Sequence, residues 1–311
     1  MTVVPLPAAR YAPVSAPQQR PVAEPRTAAE ALARAQQNLF HLQTPEGFWV
    51  GELMVDATLV ADTVAYQHWD GKVDREWQRK AVNHMFAKQL PDGGWNIYEG
   101  GPAEVNATIK CYLALKLAGV PVTDPRLLRA REVALRLGGV PRMNTFAKLY
   151  LALLGLVGWN HVPTVPCEVL LIGKWFHVNF WDMSNWSRAM LVPLAIINHF
   201  RPTRPVGVNL DELYPNGKWE LDEALRPRYF DFSLRNGFLW LDRLHKLAEW
   251  VSRRGLHPFR RRALRKAEAW MIERFEGSGG LCAIFPAMLN SLIALQALGY
   301  PDDHPHVQYA R

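Results

Sequence analysis

The 311-residue sequence has only three cysteines, Cys111, Cys167 and Cys282, each far from the others. An odd count without short spacing excludes a disulfide framework and a zinc knuckle, and fits a reducing, cytoplasmic compartment. Long apolar runs are missing too. The longest, residues 149–158, falls well short of the ~20 residues that a spanning helix needs. Strand signals are nearly absent. The first 26 residues lack the continuous apolar stretch of a secretory signal. They carry Pro5, Pro7, Pro13, Pro17, Pro21 and Pro25 instead, and read as a disordered arm. No glycine-rich phosphate loop and no nucleic-acid-binding motif occurs, so nucleic acid is not an expected partner.

What remains is the composition of a globular protein, 49% hydrophobic and 21% charged, with twelve tryptophans. Some of these tryptophans recur in a pattern. QTPEGFW at residues 43–49 and QLPDGGW at 89–95 share the form Gln-x-x-x-Gly-x-Trp, with Gln43, Gly47 and Trp49 answering to Gln89, Gly93 and Trp95. Gly138-Gly139 and Gly279-Gly280 read as decayed copies of that turn. An apolar segment follows each turn, at residues 56–69, 106–119, 144–155 and 287–299, and most of these stop at a glycine. Amphipathic segments such as REWQRKAVNHMFAKQL precede the turns. One repeat is therefore an outer helix, a glycine turn and an inner helix apolar nearly all round. Such hairpins bury both faces only by stacking or closing, which predicts an all-α fold, an α/α toroid. Residues 201–232, with Pro202, Pro205, Pro215 and Pro227, interrupt the pattern and read as a long loop.

The net charge of +7 is mild for this length. Arg253, Arg254, Arg260, Arg261, Arg262 and Arg265 cluster between Trp250 and Trp270. Either they form a patch for phosphates or they are the solvated face of a helix, and charge runs of this kind are ordinarily the latter. Glu52, Asp56 and Asp62 would suit a glycosidase on a helical toroid, but no sugar-binding pattern accompanies them. The scattered cysteines give no zinc set of the kind a toroidal prenyltransferase needs.

The Gln-x-x-x-Gly-x-Trp turns, together with GFWVGELMVDATLVAD, GGWNIYEGGPAEVNATIKCYLALK, VPCEVLLIGKWFHVNFWDMSNWSRAMLVPL, LHPFRRRALRKAEAWMIERF and GGLCAIFPAMLNSLIALQALGYPDDHP, resemble consecutive blocks of squalene–hopene cyclases. The resemblance implies two toroids with an apolar cavity between them. It implies these parts for the present chain: an arm (1–26), a helix belonging to the other, catalytic toroid (27–42), an inserted toroid (43–300) and a truncated linker (301–311). In that family an Asp-x-Asp-Asp cluster protonates an alkene of squalene. This sequence has no such cluster, its one adjacent pair being Asp302-Asp303, so no catalytic residue is expected here. Trp186, Ile284, Phe285 and Pro286 resemble cavity-wall positions, with Tyr150, Asn144 and Asp62 as further polar or aromatic ones. Lys110 departs from some family members that carry Glu there, so the resemblance does not carry a polar network through that site. The resemblance further implies no cofactor and no metal. It implies squalene or a similar isoprenoid lipid as partner, with the chain either half of a two-piece cyclase whose second polypeptide carries the catalytic toroid or a truncated piece of one cyclase. Peripheral contact with the inner face of the membrane is implied as well, with the main membrane patch outside this chain. A non-catalytic lipid-binding or scaffolding toroid is the alternative.

Overall fold

A computed structural model describes residues 27–47, 49, 55–177, 179–252, 259–275 and 281–310, with side chains from 248 to 252 left aside. Gly279-Gly280, Glu52, Arg253 and Arg254 lie outside the described residues. Among the described residues there is no strand, and no helix is long and apolar enough to cross a membrane. The chain divides into two compact units at Met54/Val55.

In the first unit α1 (Ala28–Leu42) starts at Thr27, whose hydroxyl accepts from the Glu30 N–H at 3.2 Å. None of its residues is buried, although Leu32, Leu39, Phe40 and Leu42 give it an apolar side. The first glycine turn follows it. Gln43 Nε2 donates to the Gly47 carbonyl at 2.7 Å, and Trp49 Nε1 reaches back to the Leu39 carbonyl at 2.6 Å.

The second unit is built around five apolar helices: α2 (Ala57–Asp70), α4 (Val105–Leu117), α6 (Thr145–Leu153), α7 (Asn185–Phe200) and α11 (Phe285–Leu298). Nine of the 13 residues of α4 are buried, as expected for a helix without a polar face. The pairs α2–α4 and α7–α11 pack most extensively. Outside them lie α3 (Arg75–Ala87), α5 (Pro125–Arg136) and α10 (Arg260–Ile272), which bury one stripe each. In α5 that stripe is Leu127, Ala130, Val133 and Ala134; in α10 it is Ala263, Ala267, Trp270 and Met271. The layering of inner and outer helices is that of the α/α toroid expected from the repeat. Fully burying each Leu or Ile of this core contributes roughly 1.5–3 kcal/mol.

Residues 201–232 do more than bridge a gap. They contain the short helix α8 (Glu220–Ala224), and the part from 201 to 214 gathers the C-terminal ends of the inner helices. Trp69 Nε1 donates to the Pro202 carbonyl (3.0 Å), Arg204 N to the Leu153 carbonyl (2.8 Å) and Lys116 Nζ to the Asn209 carbonyl (2.7 Å). Gln296 Nε2 donates to Asp70 at 2.8 Å, and α7 itself runs into the segment at Arg201. Since all five helices end in one place, they run parallel. Arg204, stacked 4.1 Å from the Trp69 ring centroid, and Lys116 put cations where five aligned helix dipoles place their negative ends.

Two further helices complete the described chain, α9 (Leu234–Ser252) and α12 (Pro305–Ala310). The polar side of α9 faces inward. Asp242 accepts from both the N–H and the hydroxyl of Thr164, Lys246 donates to the Asn160 carbonyl, and Asn236 is buried against the Arg228 and Asp231 carbonyls. Its apolar residues Leu234, Phe238, Leu241, Leu244 and Leu247 face outward, each 57–84% exposed. Of the arginine cluster, Arg261, Arg262 and Arg265 lie exposed on α10, whereas Arg260 turns inward to Glu168 at 2.8 Å.

Candidate functional site

The N-terminal ends of the five inner helices share the face opposite the 201–214 segment, and side-chain caps hold four of them. Asp56, Glu104, Asn144 and Ser184 accept from the Thr58, Ala107, Ala147 and Ser187 N–H groups at 2.7–3.1 Å. Asn144 is thus a cap of α6, and its own N–H donates to Asn106 Oδ1 at 2.8 Å, which ties α6 to α4 at this end. At the same end Trp186 stands in the first turn of α7, 58% exposed. Ile284 precedes α11, and Phe285 and Pro286 open it, all three half-buried. The proline fits there because the first helical N–H groups have no partner within the helix. Phe146, in the first turn of α6, is also exposed, a ring that the sequence pattern did not single out. The fold therefore brings the wall candidates of α7 and α11 to one face of the inner layer, on helices that pack against each other.

Asp62 and Tyr150 lie deeper, among the inner helices, on a polar thread. Asp62 on α2 is buried and accepts from Lys110 Nζ of α4 at 2.8 Å. The Lys110 ammonium lies 5.2 Å from the centroid of the Tyr150 ring on α6. The Tyr150 hydroxyl donates to Asn290 Oδ1 on α11 at 3.1 Å. Burial pushes the Asp62 carboxyl up from its ordinary value, and Lys110 pulls against that shift by charge and hydrogen bond. Burial also pushes the Tyr150 phenol and the neighbouring Cys111 thiol well up, so both stay protonated and neutral. Lys110, where the sequence departs from some family members, is the central member of this thread. Asn290, one of the few polar residues of α11, was the sequence signal for the far end of the thread.

Chemically, the face offers aromatic rings and apolar side chains, and its carboxylates Asp56 and Glu104 are taken up as helix caps. Asp62 is engaged by an ammonium at 2.8 Å. Among the described residues no group of three or more His, Cys, Asp or Glu side chains comes together to hold a metal ion.

The profile of the squalene-hopene cyclase N-terminal domain matches residues 32–311. The chain is 35% identical to the squalene–hopene cyclase of Zymomonas mobilis over 90% of its own length and 42% of that protein's. It is 33% identical to the squalene–hopene cyclase of Alicyclobacillus acidocaldarius, covering 87% of this chain and 42% of that one. It is also 34% identical to dammaradiene synthase of Dryopteris crassirhizoma, at 93% and 42% coverage. The chain thus spans less than half the length of these relatives. With its all-helical inner and outer layers and its paired Gln-x-x-x-Gly-x-Trp turns, the chain belongs to the squalene–hopene cyclase N-terminal domain family.

Proposed function

We propose that this chain supplies one wall of the cavity in which squalene, or a similar isoprenoid lipid, folds and cyclises after protonation of an alkene. The observation that carries the reading is the aromatic and apolar face at the N-terminal ends of α6, α7 and α11, with Trp186 and Phe146 exposed and Phe285 beside them. A soluble surface has little use for such rings. A carbocation cascade needs them, because aromatic faces stabilise the migrating positive charge and apolar walls exclude the water that would quench it. The acid comes from elsewhere, since no Asp-x-Asp-Asp occurs in the chain. A second polypeptide, or further sequence, carrying the catalytic toroid provides it. α1, with no buried residue and an apolar side, then packs into that toroid.

The reading extends to peripheral attachment on the inner face of the membrane. The outward stripe Leu234, Phe238, Leu241, Leu244 and Leu247 on α9, beside the exposed Phe230 and Phe232, has the form of a helix lying in a lipid surface. Arg243, exposed on the same helix, is available as a headgroup partner. The test is squalene cyclisation by the chain alone and mixed with a polypeptide carrying the remainder of a squalene–hopene cyclase. The expected result is cyclic triterpene in the mixture only. Product from the chain alone, or none in the mixture with both pieces folded, overturns the proposal.

A further inference from the structure

A cavity of about 470 Å³ opens in the second unit between the turn at 140–142, α8 and the start of α9. Four guanidinium groups line it, Arg142, Arg226, Arg228 and Arg235, against two carboxylates, Glu220 and Glu223. Both carboxylates are already engaged. Glu220 accepts from Asn216 Nδ2, and Glu223 lies 3.7 Å from Arg226. Arg142 makes no side-chain hydrogen bond or ion pair among the described residues. Its stem lies across Gly138, where a Cβ would come within 2.4 Å of Arg142 Cγ. Because that glycine has φ +96°, a side chain there would also be strained, so the backbone leaves Arg142 its place. Arg235 gives one N–H to the Ala224 carbonyl at 2.9 Å and keeps the rest of its fork.

Behind the cavity Lys148 is buried on α6, its Nζ donating to the carbonyl of the lining residue Pro141 at 2.9 Å. Burial and then the charge of Arg235 bring its pKa down to about 8. Arg226 is near Glu223, but Arg142, Arg228 and Arg235 form no ion pair among the described residues, and an anion seated between them would offset their mutual repulsion and that of Arg235 with Lys148. Guanidinium forks match tetrahedral oxyanions, and a cavity of this size admits more than a single phosphate. Trp219, 60% exposed, adds an aromatic face at the lining.

We propose that this cavity is a binding site for a phosphate-bearing ligand, a diphosphate or a phospholipid headgroup, held by Arg142, Arg228 and Arg235. The site stands on its own geometry and does not depend on the cyclase reading.

The experiment titrates the full chain calorimetrically with inorganic phosphate and inorganic diphosphate. In parallel, the chain is sedimented with phosphatidylcholine vesicles, with and without phosphatidylglycerol. The expected result is saturable diphosphate binding, weakened at least tenfold in Arg142→Gln/Arg235→Gln and unchanged in Arg262→Gln/Arg265→Gln, which removes the same charge from exposed positions on α10. Arg142→Gln alone, which severs no contact within the fold, loses part of the affinity with an unchanged thermal midpoint. If diphosphate releases the phosphatidylglycerol-dependent fraction of bound protein, the phosphate comes from lipid. If it binds without disturbing the vesicles, the ligand is soluble. No saturable binding of either anion together with no phosphatidylglycerol dependence, or equal behaviour of the two double variants, overturns the assignment.

Discussion

The two Gln-x-x-x-Gly-x-Trp turns make the same internal bonds in different surroundings. In each, the glutamine donates to the glycine carbonyl at 2.7 Å, and the indole donates to the carbonyl ten residues before it, Leu39 at 2.6 Å or Met85 at 2.7 Å. Both glycines have positive φ, +93° at Gly47 and +100° at Gly93. Yet Trp95 is 1% exposed and Trp49 50%. The second turn is also clamped by α5: Gln89 donates to the Arg126 carbonyl at 3.0 Å, and the Arg126 guanidinium lies 3.6 Å from the centroid of the Phe86 ring. Within its own unit the first turn has no such clamp among the described residues. The motif is thus a self-contained local structure whose shape needs no partner, whereas its contribution to stability comes from the helices packed around it.

Substitutions that separate shape from packing test that difference. At Gly93 an added Cβ would lie 2.5 Å from Arg129 Cβ and 2.9 Å from its backbone carbon, so Gly93→Ala meets both a clash and backbone strain. It is expected to cost more than about 4 kcal/mol and to leave little soluble protein. Gly47→Ala meets nothing closer than 4.0 Å and carries only the strain of a positive φ, about 1–2 kcal/mol, measurable by urea denaturation. Trp95→Ala should cost about 3–5 kcal/mol, and Trp49→Ala about 1 kcal/mol or less, in the same titration. Equal losses at the two tryptophans would contradict the comparison.

The polar thread extends the contrast, since in the second unit the packed helices also enclose a charge. Lys110→Met leaves Asp62 buried without its ammonium and is expected to cost about 3 kcal/mol, with most of that recovered in Asp62→Leu/Lys110→Met. Its pH signature follows from the raised Asp62 pKa. A carboxyl that holds its proton more tightly when folded favours the folded state at low pH, and that contribution is lost as pH rises from 3.8 through the folded value. In Lys110→Met the window should extend upward, seen as stability regained on acidification. The glutamines repeat the contrast between the two turns. Gln89→Ala gives up two hydrogen bonds, about 2 kcal/mol, and Gln43→Ala one, about 0.5–1 kcal/mol, separable by thermal midpoint.

These contrasts also mark what the sequence reveals. The turns and the inner helices are legible because they are local: a glycine before a tryptophan, a long apolar run, a stop at glycine. The all-α layered fold follows from them. The 201–214 segment is not legible as the tie between helix ends, because it acts through carbonyls 51 to 135 residues away in sequence and carries no motif of its own. The spacing of Leu234, Phe238, Leu241, Leu244 and Leu247 reads like an ordinary buried stripe. Only the hydrogen bonds of Asp242, Asn236 and Lys246 reveal that the polar side turns inward. Lys110 looked like a departure because its partners, Asp62 and Tyr150, lie on two other helices. Among the wall candidates, Trp186 and Phe285 fall at one end of neighbouring helices, whereas Asn144 acts as a cap and Asp62 sits inside the bundle.

The central claim, that this end faces the reacting lipid, is tested most directly by Trp186→Ala in the reconstituted two-piece cyclase. Trp186 is more than half exposed in this chain, so its removal should leave the thermal midpoint of the isolated chain where it was. The account predicts at least a tenfold fall in cyclic product, or a shift toward incompletely cyclised triterpenes, from a chain that folds normally. An unchanged rate and product pattern would contradict it.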